Sequence, residues 1–227
     1  MFQTIIRKLD LKSEEIIMIG DSFDKDIIGA INMSIFSFWY NNNKHCNTNY
    51  NNEKCIRFES FKELHNKFEN IETELNKLKT MSRFSGERFD LVQAGGGNSS
   101  VKIENWMFIK ASGINMTQIN TNIGYVILDN NKLLTDISSD NTRDVIEYNV
   151  IGNKRASIET FMHSILKKYT LHLHPIQVNR ILITKNCKHV IEDLFPDSLI
   201  IDYITPGIKL CNYIKNNYNN ENIRCIY

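Results

Sequence analysis

The sequence predicts an α/β protein with a mixed, largely antiparallel sheet, and three observations lead there. Between residues 16 and 39 an apolar strand, a tight turn, a helix and a second apolar run follow one another, the grammar of a parallel α/β unit. From Phe61 the apolar residues recur in steps of three or four (Leu64, Phe68, Ile71, Leu75, Leu78, Met81), which predicts one amphipathic helix or two in series. Beyond residue 90, short apolar runs separated by glycine turns read as an antiparallel meander, followed by alternating helices and strands.

In order, a short helix opens the chain, and the strand 16–19 runs into Gly20-Asp21-Ser22. A helix over about 26–31 and the apolar run 35–39 come next. Residues 41–53 are rich in Asn, lack periodicity and read as a loop. The most polar helical stretch, 69–79, places a boundary there: 1–68 is one domain, 69–80 a helical linker and 81–227 a second domain. Strands are expected at 100–103, 106–110 and 125–128, with turns at Gly95-Gly96-Gly97 and Ser112-Gly113. A helix over 157–168, a strand toward His172, a helix through Gln177, a strand at 181–184, a helix over 208–216 and a strand at 223–227 complete the reading.

Composition narrows the function. With 27 basic and 26 acidic side chains the net charge is +1, so the electrostatic footprint of a nucleic-acid binder is missing. No apolar run approaches the roughly 20 residues that a membrane span requires, and the start lacks signal-peptide character, so a cytoplasmic protein is expected. The five cysteines (Cys46, Cys55, Cys187, Cys211, Cys225) form no CxxC pair and read as free thiols.

The first motif is Ile19-Gly20-Asp21-Ser22-Phe23-Asp24-Lys25-Asp26-Ile27-Ile28-Gly29-Ala30. Taken alone, Asp21 and Ser22 could simply cap the following helix. The full spacing resembles the fourth motif of haloacid-dehalogenase-like phosphatases, where acidic residues at the carboxyl end of a strand hold Mg²⁺. That resemblance implies a metal-facing Asp21, and less directly Asp26, with Mg²⁺ in a complete domain of this kind. Such phosphatases attack phosphate with an aspartate of an upstream DxD, and no DxD precedes the motif. Residues 1–68 are therefore expected to be the tail of that fold, with at most a vestigial Mg²⁺ site and no hydrolytic activity.

The second motif is Asp90-Leu91-Val92-Gln93-Ala94-Gly95-Gly96-Gly97-Asn98-Ser99-Ser100-Val101-Lys102. A glycine turn lets backbone N–H groups approach a phosphate, although a lone Gly-Gly-Gly can equally be a hairpin bend. Downstream come Phe108-Ile109-Lys110-Ala111-Ser112-Gly113, then Arg155-Ala156-Ser157-Ile158-Glu159 through His163. Leu171-His172-Leu173-His174-Pro175 and Asp202-Tyr203-Ile204-Thr205-Pro206-Gly207 follow. Five blocks in this order resemble the class II aldolase/adducin family, most closely the aldolase half of rhamnulose-phosphate aldolase–dehydrogenase proteins, over about residues 78–227.

That resemblance implies an α/β/α aldolase-like domain, a Zn²⁺ cofactor and a small-molecule sugar phosphate as substrate, with reversible aldol cleavage as the reaction. His172 and His174 match the zinc histidines. In an HxH on a strand both rings point to one face, although two ordinary strand histidines show the same pattern. Glu159 matches the carboxylate that moves the proton at the nucleophilic carbon. Asn98, Ser112, Gly113 and Ser157 match the phosphate-binding turns. Lys110 is either an extra counter-charge or a solvated strand-end lysine, and His163 a packing residue one helical turn after Glu159. His45, His65 and His189 read as surface residues. The family's third zinc histidine lies in an Asn-His-Gly-like block after the last helix, and the sequence is expected to stop short of it, as a fragment of a longer polypeptide that is weakly active or inactive on its own. A sugar-phosphate epimerase or dehydratase on the same pocket, and a non-catalytic adducin-like module, are the alternatives. Relatives assemble as tetramers, so a homo-oligomer is implied.

Overall fold

A computed structural model describes residues 2–42, 52–218, 223 and 225–227. His45, Cys46 and most of the expected 41–53 loop lie outside them. The chain divides into two compact units, Met1–Thr73 with Asn149–Asn153, and Glu74–Tyr148 with Lys154–Tyr227.

The first unit opens with helix α1 (Phe2–Leu9) and strand β1 (Ile17–Gly20). A π-helical turn, Phe23–Ile27, runs into α2 (Ile28–Ile31), and β2 (Phe36–Tyr40) and β3 (Cys55–Phe58) follow. The three strands pair in parallel in the order β1-β2-β3. β2 is the central strand, and Phe36, Phe38 and Trp39 on it are buried with Ile27, Ala30, Ile35 and Phe58. Burial on both faces is why it reads as a continuous apolar run rather than an alternating one. β3, with one exposed arginine in four residues, carries no such run and was not expected from sequence. The short strand β7 (Asn149–Ile151) groups with this unit.

Helix α3 (Phe61–Gly86) is one continuous element of 26 residues, and the division between the units falls inside it. The second unit continues with β4 (Asn98–Ile103), β5 (Trp106–Lys110), β6 (Tyr125–Asp129), α4 (Asn130–Ser138), α5 (Thr160–Ile165) and β8 (Tyr169–His172). Strands β6, β5, β4 and β8 lie side by side in that order, each pair antiparallel. Met107, Ile109, Val126 and Leu128 of the sheet, Leu133 and Ile137 of α4, Phe161 of α5 and Cys211 form one buried core. Short turns favour this antiparallel order, since neighbouring strands need only a few residues to reverse.

The rest of the second unit is α6 (Ile176–Leu182), α7 (Cys187–Leu194), β9 (Ser198–Leu199), α8 (Ile208–Asn217) and β10 (Cys225–Ile226), with β10 parallel to β9. Here sequence reading errs twice. The expected strand at 181–184 is the end of α6 and a turn, with Thr184 N–H donating to Ile181 O at 2.9 Å. The cluster of branched residues at 181–183 mimics a strand, but Ile183 is 85% exposed and no partner strand claims it. The expected helix over 157–168 is only Thr160–Ile165, because residues 157–159 form a turn of their own. Neither α4 nor α7 was expected.

β8 is held to α3 by a buried carboxylate. Glu74 accepts a hydrogen bond from the Tyr169 hydroxyl, and the ammonium groups of Lys77 and Lys168 lie 3.0 and 3.1 Å from its Oε1. Burial works to raise the Glu74 pKa, but the phenol and the two lysines prevail and hold it at about 2.

Candidate metal and carboxylate site

The site is built on β4, β8 and the start of α5. Asn98 opens β4 and pairs directly with His172 on β8. Residues opposite one another in an antiparallel pair present their side chains on the same face. Glu159 caps α5 with helical backbone angles (φ −74°, ψ −5°) and brings its carboxylate to that face. Asn98 Nδ2 donates to Glu159 Oε2 at 3.2 Å, and the Ser157 hydroxyl donates to the same oxygen at 3.2 Å. His172 Nδ1 lies 2.7 Å from Glu159 Oε1. That oxygen is off the line along which a ring N–H would point, so the buried nitrogen makes a close electrostatic contact without an aligned hydrogen bond.

His174 lies just beyond β8, anchored by its N–H donating to Leu91 O at 2.9 Å. Its ring stands edge-to-face to that of His172, with centroids 5.0 Å apart. Burial, followed by the neighbouring His172, lowers the His174 pKa and favours neutral imidazole. The glycine turn contributes here in a way the sequence did not reveal. A Cβ on Gly96 would come within 2.9 Å of His174 Nδ1, so a glycine is what lets this ring lie against the turn.

Burial alone would raise the Glu159 pKa, but the adjoining His172 and the Asn98 amide together hold it at about 2. As it stands, Glu159 is a poor proton acceptor. His172 exerts the largest downward pull on it.

Ser112 and Gly113 are exposed on the turn after β5. An isolated bridge pairs Ala111 with Ala156, and the Ser112 N–H donates to Arg155 O at 2.8 Å, so this turn is stitched to the segment that carries Ser157. Gly113 has φ +75°, and a Cβ there would meet nothing within 4 Å, so the turn faces open space. Lys110 is not a solvated strand-end lysine: it is 4% exposed, and its ammonium donates to Ile114 O at 2.7 Å.

The remaining histidines divide by burial. His65 and His189 are exposed, within 3.3 Å of Glu69 and 3.6 Å of Asp193 respectively. His163 is fully buried, with Nδ1 2.8 Å from the Ser100 hydroxyl. Among the described residues the cysteines are free.

Asp21 follows directly on β1, at the carboxyl end of a parallel strand. Its backbone carbonyl accepts from Trp39 Nε1 at 3.2 Å. Asp26 folds back to accept from Ser22 N–H at 3.1 Å, a helix-start contact.

Two imidazoles beside a carboxylate have the donor chemistry zinc accepts, and a catalytic zinc normally has three protein ligands. Among the described residues no three His, Cys, Asp or Glu side chains converge into a complete ligand group. His172 and His174 supply imidazole donors of the kind zinc accepts, and the described residues do not complete the set.

Fold and site together define an α/β domain with a histidine–carboxylate cluster at the edge of an antiparallel sheet. Residues 1–60 match the model of the HAD-hydrolase-like family. Among solved structures, the N-terminal class II aldolase domain of a conserved protein from Thermoplasma acidophilum superposes with a TM-score of 0.60 at 24% identity, covering 78% of this chain and 83% of that one. No curated protein matches the chain. The chain thus combines a HAD-hydrolase-like segment with the class II aldolase fold. Among the described residues no helix is long and apolar enough to cross a membrane.

Proposed function

We propose that the second unit is a metal-dependent lyase domain that cleaves a phosphorylated sugar by a reversible aldol reaction, with the functional division 1–68, 69–80 and 81–227. The observation that carries this reading is the meeting of Asn98, His172 and the Ser157–Glu159 turn on one sheet face, from three separated stretches of sequence. In this reading His172 and His174 hold Zn²⁺, which when bound polarises the ketose carbonyl as a Lewis acid. Glu159 exchanges the proton at the nucleophilic carbon. The exposed Ser112-Gly113 turn, with Asn98 and Ser157, takes the phosphate, since a dianion needs several donors at once. Asn98 and Ser157 now donate to Glu159, so phosphate binding must draw them off the carboxylate, which further frees Glu159 to act as a base.

In the same reading Asp21, at the carboxyl end of β1, is at most a weak Mg²⁺ ligand. Assembly as a cytoplasmic homo-oligomer belongs to the same proposal. Two observations favour a second reading, a non-catalytic module: the Glu159 carboxylate is already engaged, and the described ligand set is incomplete.

A zinc titration by calorimetry, run on the wild-type chain and on His174→Ala, tests the metal. Outer-shell partners of a metal already contribute about 10–100-fold in affinity, so loss of a direct ligand should weaken binding by at least that much. Equal zinc affinity in the two proteins would remove His174 from the site.

A further inference from the structure

We propose that Ser100 and His163 form a positioning pair that sets the register of α5 on β4 and thereby holds Glu159 in the site. The inference rests on the proposed role of Glu159 but makes no use of metal or substrate. On β4, Asn98 and Ser100 are two residues apart and so share a face. On α5, Glu159 and His163 are four apart and so share a side. The two separations match, about 6.8 Å along a strand and about 6 Å along a helix. The helix is therefore docked on the strand through two polar pairs in step, Asn98 with Glu159 and Ser100 with His163. Glu159 and His163 are themselves joined by the helix backbone, the His163 N–H donating to Glu159 O at 3.0 Å, so the two move together.

The chemistry of the second pair explains why it can hold. His163 and Ser100 are both fully buried, so the imidazole is shielded from bulk solvent. Its Nε2 is buried without a hydrogen-bond partner among the described residues, which leaves the Ser100 hydroxyl as the side-chain hydrogen-bond partner of the ring there. A buried polar group is costly to leave unmatched. If the ring slips by one residue it loses that contact, so the pair resists sliding of α5 along β4. The next residue, Ser99, points to the opposite face and meets the Ser82 hydroxyl of α3 at 2.7 Å, which fixes β4 from the other side. Without Ser100 the first turn of α5 loses its register, and Glu159 departs from Asn98 and His172.

The test is a set of crystal structures of the full chain. In Ser100→Ala, the Asn98–Glu159 contact should open from 3.2 Å to beyond about 4 Å, the limit past which no hydrogen bond persists. In Ser100→Thr, which keeps the hydroxyl, the contact should remain. Should Ser100→Ala not fold, His163→Phe takes its place, with His163→Asn as the conservative partner because its amide reproduces the Nδ1 contact. A role in stability alone would lower the melting temperature and leave Glu159 where it is. Retention of the Asn98–Glu159 and Glu159–His172 contacts in folded Ser100→Ala or His163→Phe would overturn the proposal. Absence of aldol cleavage in every protein, wild type included, would count against the proposed function and leave the positioning result untouched.

Discussion

Glu159→Gln is expected to lower the rate of aldol cleavage by about 10²–10⁴-fold, the range in which a positioned proton-transfer group usually contributes. The amide is nearly isosteric and can still accept from Asn98 and Ser157, so the fold should stand. What it cannot do is take a proton. The pH profile separates this loss from mere mispositioning. A base acts in its ionised form, so the wild-type rate should fall on the acid side as Glu159 is protonated in the substrate complex. In Glu159→Gln that acid limb should be absent. An unchanged rate in the variant would mean that the proton is moved by another group.

The second large effect concerns acid stability. Burial, reinforced by His172 and Lys102 and opposed by Glu159, lowers the His163 pKa to about 3. In the unfolded chain the same ring takes up its proton near 6.5. The unfolded state therefore binds more protons than the folded one between those values, and stability must fall as pH drops through that window. The slope from one such group approaches ~1.4 kcal/mol per pH unit. Glu159 acts in a lower window. Its folded pKa of about 2 lies below an ordinary carboxyl, so its stabilisation is complete above about 4.3 and is lost only as pH falls toward 2. Urea unfolding between pH 6.5 and 4.5 thus reads His163 with little contribution from Glu159, while His174, whose pKa is also lowered by burial, acts in the same interval. His163→Phe should reduce the slope of stability across that interval, and an equal slope in the two proteins would show that His163 is not held neutral.

Much of the fold could be read from the sequence because its signals are local. The steps of three and four from Phe61 specify α3 however the helix packs. The run at 35–39 reports a strand buried on both faces. The elements that escaped are those decided by tertiary context. Residues 181–183 carry strand-like branched side chains, yet without a neighbouring strand they close a helix. The segment 187–194 gave no clear signal because only Ile191 on it is fully buried.

The site shows the same division. The family resemblance pointed to Glu159, His172 and His174, and the structure brings Glu159 within 2.7 Å of His172 and the His174 ring against that of His172. Spacing could not show that β4 and β8 are in register at Asn98 and His172, which is a long-range pairing. Nor could it show that Gly96 yields space to His174, or that Lys110 is buried under its own turn. Ser100 was visible only as part of an Asn-Ser-Ser string. An apolar strand interrupted by two fully buried serines is a signal that this strand meets polar partners on both faces.

The most direct measurement of the central claim is product analysis after incubating the zinc-loaded chain with a panel of phosphorylated ketoses. The account predicts release of an aldehyde together with a phosphorylated three-carbon ketone from at least one of them, abolished by Glu159→Gln. Recovery of only an epimer or a dehydrated sugar, or of every ketose unchanged at full zinc occupancy, would contradict it.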